Sequence, residues 1–134
     1  MTVCAKDRQC ILASIVGAGI DRPNIELLNV GKIIEAYLHE IPKRYKNINV
    51  DKFVIMPNHI HMIIRIDECG RSMPAPTISS ILCQFKSIVS KQAGIIIWQN
   101  GFYDRILRDQ NDYNNVWNYI DTNPDKWHED QYYQ

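Results

Sequence analysis

The sequence contains no Cys-x-x-Cys pair. Its four cysteines, Cys4, Cys10, Cys69 and Cys83, are too scattered for a thiolate zinc site, and a chain of 134 residues can build one core without disulfide staples. Free, buried thiols in a reducing compartment are the expectation. Long apolar runs are also missing. Phe53–Val54–Ile55–Met56 and Ile95–Ile96–Ile97–Trp98 fall far short of the roughly 20 residues that cross a bilayer. No basic-then-apolar leader opens the sequence, which sets aside a secretory route and points to the cytoplasm. A glycine-rich phosphate loop is lacking, so nucleoside triphosphate chemistry has no foothold. There is no repeat and no low-complexity tract. Net charge is absent too, with 15 basic residues against 15 acidic ones. The charges are unevenly spread: residues 104–134 hold seven acids and three bases, residues 1–103 twelve bases and eight acids. A mildly basic body with an acidic tail is compatible with a nucleic-acid partner without requiring one.

What is present fits a single domain over residues 1–134. Thr2–Val3–Cys4–Ala5 reads as the end of a strand whose beginning is missing or very short. Lys6–Asp7–Arg8, Gly17, Gly19 and Pro23 mark residues 6–24 as loop and turn. Val30, Ile33, Ile34, Tyr37, Leu38 and Ile41 lie on one helical stripe, predicting a helix over 28–41 with Pro42 kinking or closing its last turn. Val50 and Phe53 to Met56 read as a strand, Met56–Pro57–Asn58 as a turn, and His59 to Ile66 as a second strand, together an antiparallel hairpin. Residues 67–77, with Gly70, Pro74 and Pro76, read as a loop, and Thr77 as the N-cap of a helix reaching residue 93. Ile78, Ile81, Leu82, Phe85, Ile88 and Val89 form that helix's apolar stripe, and Gly94 closes it. Residues 95–98 and 102–107 are strand-like. Asp112 then caps a short helix that Pro124 stops, and the remaining tail reads as loosely ordered. The first six elements spell a ferredoxin-like βαββαβ arrangement, an α+β fold with an antiparallel sheet, and a C-terminal helix follows.

The chemistry concentrates in Pro57–Asn58–His59–Ile60–His61. Residues two apart on a strand share a face, so His59 and His61 project side by side and can converge on one cation, or stand as two solvated histidines. Two imidazoles need a third ligand. On the last helix Tyr119 and Asn123 share a face, with Asn115 one turn earlier. An amide oxygen is a hard ligand suited to Mg²⁺ or Mn²⁺.

Four ordered blocks then coincide with one family. Met56–Pro57–Asn58–His59–Ile60–His61–Met62–Ile63–Ile64 resembles the histidine signature of the HUH single-tyrosine transposases, most of all their REP-associated tyrosine transposase branch. Phe85–Lys86–Ser87, the stretch from Trp98 to Arg108, and Tyr119–Ile120–Asp121–Thr122–Asn123–Pro124 are similar to that branch's further blocks. The resemblance covers about residues 50 to 124. It implies that His59, His61 and Asn123 hold Mg²⁺ or Mn²⁺ and that Tyr119 is the nucleophile. It further implies cleavage of single-stranded or hairpin DNA through a 5′-phosphotyrosine link, leaving a free 3′-hydroxyl, by a monomer or a homodimer. Lys86, Tyr103, Arg105 and Arg108 are candidate DNA contacts, with Tyr103 and Arg105 on one face if their segment is a strand. The tyrosine helix, hinged by the loop at 109–112 and with few core contacts, is expected to open at low cost.

Two other classes share parts of this pattern. A catalytically silent, RRM-like nucleic-acid-binding module has the same topology, but it calls for stacking aromatics on the central strands, where this chain has Val54, Ile55, His59 and His61. A metal-dependent hydrolase would use water, leaving Tyr119 structural; a covalent protein–DNA adduct separates the two.

Overall fold

The computed structural model describes residues 1–16, 24–45, 47–66 and 78–129. Its elements are β1 (Thr2–Cys4), β2 (Ala13–Val16), β3 (Asn24–Leu27), α1 (Asn29–Arg44), β4 (Ile48–Ile55), β5 (His59–Ile66), α2 (Ile78–Ala93) and α3 (Gln110–Thr122), with a 3-10 helix at Asn123–Glu129. The main sheet is antiparallel in the order β1-β5-β4. Thr2 faces His61 and Cys4 faces His59 across β1 and β5, while Ile55 faces Ile60 across β4 and β5. The turn between β4 and β5 is closed by the Met56 amide donating to the His59 carbonyl at 2.8 Å.

Both long helices pack on one face of this sheet. The stripe of α1 buries Ile34, Tyr37, Leu38 and Ile41, and that of α2 buries Ile81, Leu82, Phe85 and Val89, against Ile60 and Met62 of β5 and Ile48 and Ile55 of β4. α3 lies on the opposite face over a smaller cluster of Val54, Met56, Ile63, Ile120 and Trp127. Among the described residues the first cluster holds 17 buried side chains and the second five. At about 1.5–3 kcal/mol for each fully buried large apolar side chain, the first dominates global stability and the second chiefly seats α3. The expected α+β fold with an antiparallel sheet is therefore present, but the βαββαβ order stops short of its last strand among the described residues, and a third helix lies on the face that the two long ones leave open. Among the described residues no helix is long and apolar enough to cross a membrane.

Several elements differ from the sequence expectations. Residues 95–98 and 102–107 form no strand. They meet β1 and the residue that follows it only through isolated bridges, Thr2 to Tyr103 and Ala5 to Trp98, because β1 is three residues long and offers too short an edge for a continuous ladder. Residues 6–24 are not loop throughout. β2 and β3 pair as a hairpin, Ala13 opposite Leu27 and Val16 opposite Asn24, each strand being four residues long and too short to show a period. Gly17, Gly19 and Pro23, as well as Thr77 and the 67–77 loop, lie outside the described residues. α1 runs through Pro42 to Arg44, since so near the C-terminus the missing amide removes only one terminal hydrogen bond. α3 is capped by Asp109, whose carboxylate accepts from the Asp112 amide at 2.7 Å. Asp112, the third residue of α3, accepts in turn from the Arg108 amide at 3.4 Å, a variant of the capping box. Pro124 does not end the helical path, which continues as a 3-10 helix to Glu129. Of the described cysteines Cys4 is buried, but Cys10 and Cys83 are exposed.

Gly94 closes α2 as expected, at φ 73° with its amide on the Ser90 carbonyl at 2.9 Å. Gly31 has a different role. A Cβ there would stand 2.1 Å from the Leu12 carbonyl oxygen, the acceptor of the Leu28 amide. The nearest atoms are backbone of Leu12, which cannot swing aside as a side chain would. Gly31→Ala is expected to destabilise the fold by about 1–3 kcal/mol, read as a lowered midpoint in urea unfolding; an unchanged midpoint would show that α1 can shift freely.

Candidate active site

Alternation along β5 builds the centre of the site. Ile60 and Met62 turn toward α1 and α2, so His59 and His61 turn to the other face, under α3. Both are buried, at 0% and 6% exposure, with ring centroids 4.6 Å apart. Each ring is oriented through Nδ1. His59 Nδ1 lies 2.8 Å from Asn58 Oδ1, and the Asn58 amide is itself fixed by donating through Nδ2 to the Arg8 carbonyl at 3.3 Å. An amide oxygen only accepts, so His59 carries its proton on Nδ1 and presents a lone pair at the buried Nε2. His61 Nδ1 lies 2.8 Å from Thr2 Oγ1, its partner across β1. This is how metal-ligating imidazoles are held: one nitrogen tied to a neighbour, the other aimed inward.

Burial lowers the pKa of His59 to about 4, partly opposed by a favourable contact of the imidazolium with Asn123. At neutral pH the ring is uncharged, as a metal ligand must be. The stability consequence follows from its sign. Between pH 4 and 6.5 the unfolded chain binds a proton that the folded chain does not, so stability is full above pH 6.5 and falls as pH drops toward 4. A loss on the order of 2 kcal/mol between pH 7.5 and pH 5 is expected in denaturant titrations. His59→Gln should flatten that slope, and an equally steep slope in the variant would assign it to another group.

α3 and the turn after it bring the remaining groups. Tyr119 projects from α3 with its ring edge-to-face against His61, centroids 5.3 Å apart, and is 49% exposed. Asn123, at the C-cap of α3, is buried at 4% exposure. Its Oδ1 is buried and, beyond the contact with His59, makes no hydrogen bond of ordinary geometry among the described residues. Among the described residues no three His, Cys, Asp or Glu side chains converge, so beside the two imidazoles the amide of Asn123 is the group that could serve as a third ligand. Its amide oxygen is a hard ligand of the kind that Mg²⁺ or Mn²⁺ takes. Tyr119, His61 and Thr2 open onto a cleft of about 410 Å³, also lined by Arg105, Asn115 and Ile120.

Tyr113 is placed elsewhere. Its hydroxyl donates to Asp51 at 3.0 Å and its ring packs on Trp117. Burial, then the Asp51 carboxylate, push its pKa up.

The four candidate DNA contacts separate. Arg105 pairs with Asp112 at the start of α3, and together with Arg108 and Asp104 it lines a surface groove of about 490 Å³ beside the cleft. Tyr103 is exposed, and its backbone exchanges two hydrogen bonds with Thr2, the residue that holds His61. Tyr103 and Arg105 are not related by strand alternation, because that segment is irregular beyond the single bridge. The Lys86 ammonium donates to the carbonyls of Gln99, at 2.9 Å, and Gly101, and burial lowers its pKa.

Three positioning groups went unread in the sequence. Asn58, immediately before the first histidine, had a signal in its place within the turn. Thr2 had none, since only the β1–β5 register reveals it. Trp127, in a tail expected to be loose, is buried at 7% exposure with its ring 6.1 Å from that of His59.

No protein-family model matches the chain. Among solved structures it is similar to a REP-associated tyrosine transposase bound to a REP hairpin, with a TM-score of 0.69 at 20% identity. That match covers 93% of this chain, which spans 64% of the transposase. Among curated proteins it is 32% identical, over 154 aligned residues, to an uncharacterized protein of Haemophilus influenzae, covering 99% of this chain and 83% of the relative. The chain therefore belongs to the family of that Haemophilus influenzae protein, and it is built on the fold of a REP-associated tyrosine transposase.

Proposed function

We propose that this chain cleaves and rejoins single-stranded DNA as a tyrosine transposase. The observation that supports this best is the meeting of Tyr119, His61, His59 and the buried Asn123 amide under one helix of one chain. Phosphoryl transfer needs an in-line nucleophile and charge stabilisation at the non-bridging oxygens. In this reading the Tyr119 phenolic oxygen attacks the scissile phosphorus, and the bond from phosphorus to the 3′ oxygen breaks. The phenolic proton passes to solvent, and the departing 3′ oxygen takes a proton to become a hydroxyl. The DNA remains joined to Tyr119 through its 5′ phosphate, so rejoining reverses the step without a nucleotide cofactor. His59, His61 and Asn123 would hold Mg²⁺ or Mn²⁺, which supplies polarisation of the phosphate and placement of the 3′ oxygen.

The surroundings agree with a DNA strand in the cleft. Arg105 and Arg108 flank it as phosphate contacts, exposed Tyr103 offers a stacking face, and Lys86 holds the loop leading to Tyr103. The neighbouring structure's REP hairpin suggests the substrate class, hairpin DNA with a single-stranded flank. One chain supplies every catalytic group, so a monomer suffices, and the setting is cytoplasmic.

Incubation with single-stranded oligonucleotides spanning imperfect palindromes from the flanks of its own gene, with Mg²⁺ or Mn²⁺, tests this directly. A free 3′-hydroxyl fragment and a slower-migrating protein–DNA adduct are expected, both lost with a chelator. Cleavage without an adduct would point to water as the nucleophile and overturn the transposase mechanism.

A further inference from the structure

β4 changes phase in its middle. Ile48 and Val50 pack toward α1 and α2, and so do Phe53 and Ile55. Even-numbered residues face the long helices before position 51 and odd-numbered ones after it, which a regular strand cannot do. The pairing gives the cause. Val50 opposes Ile64 and Lys52 opposes Ile63, which leaves Asp51 as the extra residue of a β-bulge. Two consecutive side chains, Asp51 and Lys52, are thereby both delivered to α3.

Each grips that helix. Asp51 accepts from the Tyr113 hydroxyl at 3.0 Å, and its other oxygen lies 3.5 Å from Arg65 of β5. Lys52 donates to Asp121 at 2.8 Å, and its ammonium stands 4.9 Å from the centre of the Trp117 ring. Tyr113, Trp117 and Asp121 are four apart in turn and form one row along α3. Tyr119 is two residues from Trp117 and from Asp121, about 200° round the helix axis. The row and the tyrosine thus occupy opposite flanks, and the apolar seat of Val116 and Ile120 lies between them.

The rings of Tyr113 and Trp117 extend that seat toward the row, while among the described residues no apolar contact of the cluster lies on the Tyr119 flank, so the helix can roll about its seat. With side chains extending about 5–6 Å from the axis, a roll of roughly 10° moves a side-chain tip by about 1 Å, and a misplacement of that size can cost about 100-fold in rate. We propose that Asp51 and Lys52 are positioning residues: the bulge turns both toward α3 to stop that roll, and so holds Tyr119 against His61. The proposal rests on Tyr119 being the nucleophile. It replaces the sequence expectation of a loosely held helix with one that is clamped along one flank.

Two readouts separate the clamp from the chemistry. In the DNA-free full chain, amide hydrogen exchange of residues 113–122 is compared with that of α1 and α2. Lys52→Asp sets like charges at the contact and is expected to speed exchange in α3 about tenfold, with α1 and α2 unchanged. The exchanged pair Lys52→Asp with Asp121→Lys should return it to within about twofold of the parent. Lys52→Met, which keeps the stem over Trp117, gives an intermediate rise and serves if the first variant folds poorly. Single-turnover cleavage of the hairpin should fall about tenfold in Lys52→Asp while its binding constant changes less than about twofold, and the exchanged pair should recover the rate. Unchanged α3 exchange in both Lys52 variants would overturn the clamp, and faster exchange with an unchanged cleavage rate would overturn its positioning role. If the parent protein forms no adduct, the nucleophile assignment fails, while exchange and its rescue still decide whether the clamp exists.

Discussion

Tyr119→Phe is expected to abolish the covalent protein–DNA adduct, by at least about 10³-fold, while hairpin binding stays within about twofold of the parent. The substitution removes one oxygen and keeps the ring. The edge-to-face contact with His61, at 5.3 Å between centroids, survives, as does the seat of Val116 and Ile120. Only the attacking atom is lost. Tyr113→Phe is the informative control, because that phenol lies on the other flank of α3, bonded to Asp51. The variant should still form adduct, more slowly through a loosened helix. Adduct retained in Tyr119→Phe and lost in Tyr113→Phe would exchange the two roles.

The second large effect is expected at the metal. His59→Ala should abolish Mn²⁺-dependent cleavage and lower Mn²⁺ affinity at least about 100-fold in calorimetric titration. His59 is fully buried, so the truncation leaves a small void under Trp127. The main core, on the other face of the sheet, contains none of these residues, and the far-ultraviolet circular dichroism should keep its parent shape. Undiminished cleavage in a folded His59→Ala protein would remove His59 from the metal set.

Much of this architecture is legible in the residues, for reasons of length. α1 and α2 each show six apolar residues at helical spacing, of which four are buried and two half-buried in each helix. The β4–β5 hairpin is legible because Pro57–Asn58 interrupts two long strands. Even the bulge leaves a trace, an apolar pattern of Ile48 and Val50 followed out of phase by Phe53 and Ile55.

Other features depend on partners that a linear reading cannot supply. Ile95 to Trp98 has the composition of a strand, yet β1 offers it a single bridge, and Ile95 and Ile96 remain exposed at 50% and 76%. β2 and β3 are stable only as a pair packed on the core, with Leu12, Ala13, Ile25 and Leu27 against it. The polar and aromatic tail reads as loose, but within it Trp127 is buried beside His59. At the site, the histidine pair and its cross-strand face followed from alternation alone. The Thr2 contact and the grip of Asp51 and Lys52 followed only from register.

The most direct measurement is peptide mass spectrometry of the adduct formed with a 5′-extended hairpin oligonucleotide and Mn²⁺. The expected result is a nucleotide joined through its 5′ phosphate to Tyr119, in the peptide that also contains Asn123. A nucleotide on any other residue, or cleavage that leaves the protein unmodified, would contradict the assignment of Tyr119 as the nucleophile.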